Sequence, residues 1–229
     1  EVNAETDEMG ATALMWAVAA PHRHIVTVLL EHDADVGVSS MKGMTPLLTA
    51  ARSGDIEMAK LLVAAGAGVN DLGSDGTHAL PFAIINGQEA FALFLLEQGA
   101  DPNGTIDGVS ALHAAAGNVD TWLIHWDRRH GNGRYLSRRR SGRNSLNAQQ
   151  RVAVAKALLA HGADPDARIT TTAMLMSYIG YPTKGAFERF ACGTGDLRGA
   201  TPLWVAAFGA ATDGAYRGGA VGNYVQRAQ

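Results

Sequence analysis

One spacing constrains this chain more than any other property. Gly10-Ala11-Thr12-Ala13-Leu14, Gly43-Met44-Thr45-Pro46-Leu47, Gly76-Thr77-His78-Ala79-Leu80 and Gly108-Val109-Ser110-Ala111-Leu112 fall in step, with their leucines 33, 33 and 32 residues apart. A second motif keeps the same phase: Asp33-Ala34-Asp35-Val36, Gly66-Ala67-Gly68-Val69-Asn70, Gly99-Ala100-Asp101-Pro102-Asn103 and Gly162-Ala163-Asp164-Pro165-Asp166. Between them, the stretch from Lys42 to Asn70 reads as two short helices. Thr45 caps a helix that begins at Pro46, where the missing N–H costs nothing, and Leu47, Leu48, Ala50 and Ala51 give it an apolar side. Gly54 ends that helix. Asp55 and Glu57 favour the first turn of the next, where Ile56, Ala59, Leu62 and Val63 recur at helical spacing before Gly66. A helix pair this small cannot bury its own apolar face, so it must stack on copies of itself.

A period near 33 with a Thr-Pro-Leu opening and a Gly-Ala-Asp close resembles the ankyrin repeat. The resemblance covers about residues 7–118, 150–168 and 199–209. It implies an all-α solenoid of helix–turn–helix units joined by short β-hairpin-like loops, here with two long insertions. The units fall at about 7–39, 40–72, 73–104, 105–168 and, incompletely, 199–229, in one array. The first insertion, 119–149, splits the helices of the fourth unit: Leu112 to Gly162 spans 50 residues where Leu80 to Gly99 spans 19. The second, 169–198, separates the fourth unit from the Gly199-Ala200-Thr201-Pro202-Leu203-Trp204 restart of the fifth. In the ankyrin architecture the first insertion leaves from the edge away from the hairpin fingers, and the second replaces a finger tip. Such insertions resemble bacterial ankyrin-repeat proteins more than compact eukaryotic arrays. Glu1-Val2-Asn3-Ala4 reads as the tail of a unit whose helices lie upstream, so the chain is expected to be a fragment, with its compartment left open.

Composition narrows the function classes. The single cysteine, Cys192, excludes an internal disulfide and a cysteine-rich zinc site. Without a neighbouring base in sequence it reads as a small buried thiol rather than a nucleophile. No uninterrupted apolar run approaches membrane-spanning length: Gln88-Glu89 breaks the best one, Ala79–Leu96. Net charge is −3, but it is segregated. Arg128, Arg129, Arg134, Arg138, Arg139, Arg140 and Arg143 crowd the first insertion, leaving 12 basic residues against 22 acidic ones elsewhere. That cluster suits an acidic partner, nucleic acid or phosphate, or simply a solvated loop folding back on acidic flanks. Tyr135 is its one aromatic, thin for base stacking. Asp120, His125, Asp127 and His130 match no zinc spacing with a third defined ligand. Trp122 and Trp126 read instead as anchors of the insertion. The second insertion gathers Met174, Leu175, Met176, Tyr178, Ile179, Tyr181, Phe187 and Phe190, read as folding down over neighbouring helices rather than standing exposed.

No phosphate loop, nucleophile elbow or carboxylate pair is present in sequence. The expectation is therefore a non-enzymatic scaffold with no cofactor and no metal, binding a protein. By repeat position, the resemblance places its contacts on finger tips and on the exposed side of each unit's first helix, with the partner expected on the concave surface around the second and third units. The contacts are Glu8, Met9, Met41, Lys42, Met44, Arg52, Ser53, Ser74, Asp75, Thr77, Ile85, Asn86, Asp107, Val109 and Asn118. Met9, Met41 and Met44 are large apolar groups where a free finger favours polar ones. His113 sits where the family's histidine bonds the neighbouring unit's loop. His78, standing where Thr12 and Thr45 stand, is expected to cap its helix.

Overall fold

The computed structural model describes residues 1–6, 9–117, 119, 123, 126, 146–170 and 199–207. Its helices come in pairs: α1 Ala13–Ala19 with α2 Arg23–Glu31, α3 Pro46–Ser53 with α4 Ile56–Ala64, α5 Ala79–Ile85 with α6 Glu89–Glu97, and α7 Ala111–Ala116 with α8 Ala148–Ala160. Residues 202–207 are helical again. The first helices stack in a row, α1 on α3, α3 on α5 and α5 on α7. The second helices α4, α6 and α8 line up behind them. Helix α8 packs on α7 as closely as α6 packs on α5, so the chain between them leaves the stack intact. The architecture is an all-α solenoid. Its β content among the described residues is one two-stranded hairpin, Thr105–Ile106 against Val109–Ser110, and a bridge between Glu5 and Thr12.

Capping explains where the helices start. Thr12, Thr45 and Ser110 each accept the backbone N–H three residues on, from Met15, Leu48 and His113. Asp55 is the cap of α4 itself rather than a first-turn acid, accepting from the Met58 N–H at 3.0 Å. At α8, Asn147 and Gln150 form a reciprocal capping box. The capping role expected of His78 is not observed: no side-chain bond caps α5. The imidazole instead turns to the next finger, where Nδ1 accepts the Thr105 N–H at 3.1 Å while the His78 N–H donates to the Thr105 carbonyl. With Nδ1 committed to the Thr105 N–H, it makes no cap to its own helix.

The Gly-Ala-Asp motif closes each unit in left-handed backbone, with φ of 101° at Gly66, 85° at Gly99 and 92° at Gly162. Asp33 holds the same place in the first unit at φ 61°, a conformation that glycine adopts without the Cβ clash. The asparagine that ends a unit ties it to the next. Asn70 Nδ2 donates to the Gly99 carbonyl and its Oδ1 accepts the Asp101 N–H; Asn103 repeats both bonds on Gly162 and Asp164. Asn3 does the same to Asp33 and Asp35. Gly37 stands in this register at the end of the first unit.

The core is one continuous cluster running the length of the stack. It is thin and alanine-rich at α3 and α7, and aromatic at the third unit, where Phe82, Phe91 and Phe94 are buried.

Candidate partner-binding surface

The finger tips of the first two units are neighbours, because the Met41 N–H donates to the Met9 carbonyl at 3.0 Å. Met41 is 72% exposed, the barest large apolar group on this face. Met9 and Lys42 are half-buried beside it. Met44 is also half-buried and packs down on the core, which leaves Met41 as the projecting methionine. At the far end of α3, Ser53 is exposed and Arg52 half-buried. Burial lowers the Arg52 pKa from its ordinary value, yet a guanidinium stays charged. The Arg52 carbonyl accepts Gln88 Nε2 from the next unit, whose amide closes over Gly54. Gly54 itself is left-handed, at φ 77°. The first-helix face of the first two units thus presents an apolar tip at one end and a cation at the other.

The third unit differs. Ser74 and Asp75 are exposed, but Thr77, Ile85 and Asn86 are buried, at 1%, 9% and 6% exposure. All seven residues of α5 are buried. Val109 is fully buried within the hairpin, and Asp107 is half-buried at its turn with φ 47°. Thr77, Ile85, Asn86 and Val109 therefore leave the solvent-facing set that repeat position alone suggests. For Thr77 the physical reason is visible. Trp126, from the first insertion, is 2% exposed and donates its indole N–H to Thr77 Oγ1 at 2.9 Å, with its ring tilted 51° against Phe82 at 5.2 Å. Val119 and Leu123 are buried in the same cluster. Trp126 thus anchors the first insertion to the third unit, as its sequence suggested. Glu8, Asn118, the seven arginines from Arg128 to Arg143, Trp122, Tyr135, Cys192 and the apolar residues of the second insertion lie outside the described residues.

The ends of both insertions are pinned. Arg151 donates to the carbonyls of Leu146, Ala114 and Ala115, tying the start of α8 to the end of α7. Nothing in the repeat pattern marks that arginine. At the second insertion, Ile169 and the Gly199–Ala200 restart are joined by backbone bonds, and Arg168 donates to the Gly199 carbonyl. His113 is wholly buried: Nε2–H donates to the Ala200 carbonyl at 2.9 Å, and Nδ1 accepts Ser110 Oγ–H at 2.7 Å. Desolvation lowers its pKa and outweighs the Ala200 bond, so the ring is a neutral clasp. With Ser110 also buried, the Ser–His contact has no route to a substrate. Among the described residues no three His, Cys, Asp or Glu side chains cluster as metal ligands, and no helix is long and apolar enough to cross a membrane.

The comparisons with known proteins agree with this geometry. The family described as "Ankyrin repeats (3 copies)" matches residues 35–106, and "Ankyrin repeat" matches residues 9–40. An ankyrin repeat-containing protein of Treponema pallidum is 37% identical over 115 residues, which is 49% of this chain and 38% of that protein. The ankyrin repeat and KH domain-containing protein mask-1 of Caenorhabditis elegans is 32% identical over 157 residues, covering 68% of this chain and 5% of its own length. The E3 ubiquitin-protein ligase KEG of Arabidopsis thaliana is 33% identical over 111 residues, 44% of this chain and 7% of the ligase. The chain therefore spans well under half the length of each of these relatives. Their shared part is a repeat array of the kind that generally mediates protein–protein interaction. With its register, helix pairs and inter-unit bonds all in place, the chain is an ankyrin-repeat protein.

Proposed function

We propose that the chain is a non-enzymatic scaffold that binds a protein partner on the finger and first-helix face of its first two units. The observation that carries the reading is Met41. A 72%-exposed methionine on a finger tip, beside Met9 and Lys42, leaves apolar area in water that a partner would remove. Methionine suits such a role because its unbranched side chain adapts to irregular surfaces. Arg52 at the far end of α3 adds a partly desolvated guanidinium, a group favoured at interface centres.

The test is capture of the partner by wild type and by a Met41→Ala, Lys42→Ala, Arg52→Ala variant with an unchanged helical spectrum. Loss of at least tenfold in affinity supports the reading, and undiminished capture by the folded variant sinks it. Binding that survives the triple substitution but is lost on deleting residues 134–143, with a steep salt dependence, would move the activity to the arginine cluster.

A further inference from the structure

We infer that Trp16 on α1 and Ile25 and Val28 on α2 form a stacking face for one further ankyrin-type helix pair, on the amino-terminal side of the first unit. Repeat register carries the inference. Trp16 is 51% exposed, whereas Thr49, Phe82 and Ala114, which hold its position in the next three units, are all buried. Ile25 is 41% exposed, and its counterparts Met58, Phe91 and Val154 are all buried. Val28 is exposed where Phe94 is buried and Leu61 and Ala157 are half-buried. Even the small Ala13 is exposed where Pro46, Ala79 and Ala111 are buried. These positions change together at the one unit that, among the described residues, has no helix pair stacked ahead of it. The end unit of a solenoid carries a polar outer face, because nothing covers it. Three large apolar side chains on one such face fit an internal unit instead.

The segment ahead of α1 points to the occupant. Asn3 makes on Asp33 and Asp35 the two bonds that Asn70 and Asn103 make across the later joints. Asn70 and Asn103 each follow the second helix of a unit, α4 and α6. Val2, in the register of Val69, packs on the core as Val69 does. Residues 1–3 thus run as the closing loop of a unit. The helix pair that such a loop closes falls over Trp16, Ile25 and Val28. It continues the interface by which α1 stacks on α3 and α3 on α5. The face is separate from Met41, Lys42 and Arg52, so the inference does not rest on the partner reading.

The test supplies the helix pair to the full chain. A copy of residues 40–67 joined directly ahead of Glu1 keeps the register, because Val2 then stands two residues after the graft as Val69 stands two after Ala67. A pair this small orders only by stacking, so its folding reports on the face. The helical signal should rise, and amide exchange in α1 and α2 should slow at least tenfold relative to wild type. Ile25→Ala should speed exchange in α2 several-fold more in the grafted chain than in the ungrafted one, since only the graft covers that side chain. A second graft, a copy of residues 73–100, guards against one unsuitable junction. The proposal is overturned if neither graft slows exchange in α1 and α2, or if Ile25→Ala acts equally on grafted and ungrafted chains. A wild-type chain that sediments as a dimer, reduced to a monomer by Trp16→Glu, would give the face to a second copy and overturn it too.

Discussion

At the repeat position held by Ala19 and Ala20 in the first unit and by Arg52 and Ser53 in the second, side chains reach solvent. At the same position in the third unit, Ile85 and Asn86 are buried. The joints between units differ in the same direction. The second, third and fourth units are linked by the paired bonds of Asn70 and Asn103, and the third and fourth also by the His78–Thr105 contact. The first and second units meet at Gly37, which has no side chain to bridge the joint. The Arg23–Asp55 ion pair between them, at 2.8 Å, has an arginine 54% exposed, so it contributes at most about 1 kcal/mol. One repeat design has therefore been held in two ways: an open, lightly tied amino-terminal half, and a covered, strongly tied half where the insertions attach. An interaction surface that must adapt to a partner benefits from the first. Anchoring two long inserted segments requires the second.

Two tryptophans give the largest contrast. Trp126 is 2% exposed and Trp16 51%. Trp126→Ala should cost about 3–5 kcal/mol of unfolding free energy, the range for truncating a buried aromatic, whereas Trp16→Ala should stay within about 1 kcal/mol. Urea midpoints measured by helical circular dichroism decide it. Equal losses would mean that Trp126 is no more integral than a surface group, and the contrast between the halves would fail.

The His113 clasp sharpens the comparison through pH. Its folded-state pKa lies below the ordinary value, so it is the unfolded chain that takes up the proton first as pH falls. The stabilisation is complete above the unfolded value near 6.5, declines as pH drops through it, and levels off below the folded pKa. The slope is at most about 1.4 kcal/mol per pH unit. In His113→Leu, which copies Leu48 at the same position of the second unit, baseline stability should fall while this component disappears. The comparison is the difference between wild type and variant from pH 7.5 to 5, and a difference that stays constant across that range would contradict the buried neutral ring.

The ankyrin frame was legible because it rests on local rules repeated in phase. Thr45 with Pro46 must start a helix, and Gly54 and Gly66 must end one, wherever they occur. His113 was legible through the family's pattern. The burial of Thr77, Ile85 and Asn86 was not, because a repeat position says which way a side chain points and nothing about what lies on top of it. For Thr77 the cover is Trp126, which comes from an insertion whose sequence follows no period. Arg151 was hidden for the same reason: its three carbonyl partners adjoin an insertion boundary, and carbonyls leave no mark in a sequence. His78 misled because the capping position was right while the residue type preferred a different bond.

The smallest effect tests whether the looseness of the first joint is a matter of one side chain. Gly37 donates its N–H to Asp35 Oδ1 at 2.8 Å, the same turn that Asn103 makes on Asp101 at 2.9 Å, and its φ is not left-handed. The backbone there is already set for an asparagine. A Cβ would meet only the Asp35 carboxylate, at 3.3 Å, which need give by no more than a few tenths of an ångström. By analogy with Asn70 and Asn103, Gly37→Asn should place Nδ2 against the Gly66 carbonyl. The second bond of the pair would have to compete with Asp71 Oδ2, which already accepts the Gly68 N–H at 2.8 Å. One new bond together with the reduced freedom of the unfolded chain predicts a gain of about 0.5–1 kcal/mol. Amide exchange in α1 and α2 should slow more than in α5 and α6, because the substitution acts on the lightly tied end. A stability gain spread evenly over the array would mean that the two halves already unfold as one unit. Their difference would then lie in surface alone, not in how firmly each is held.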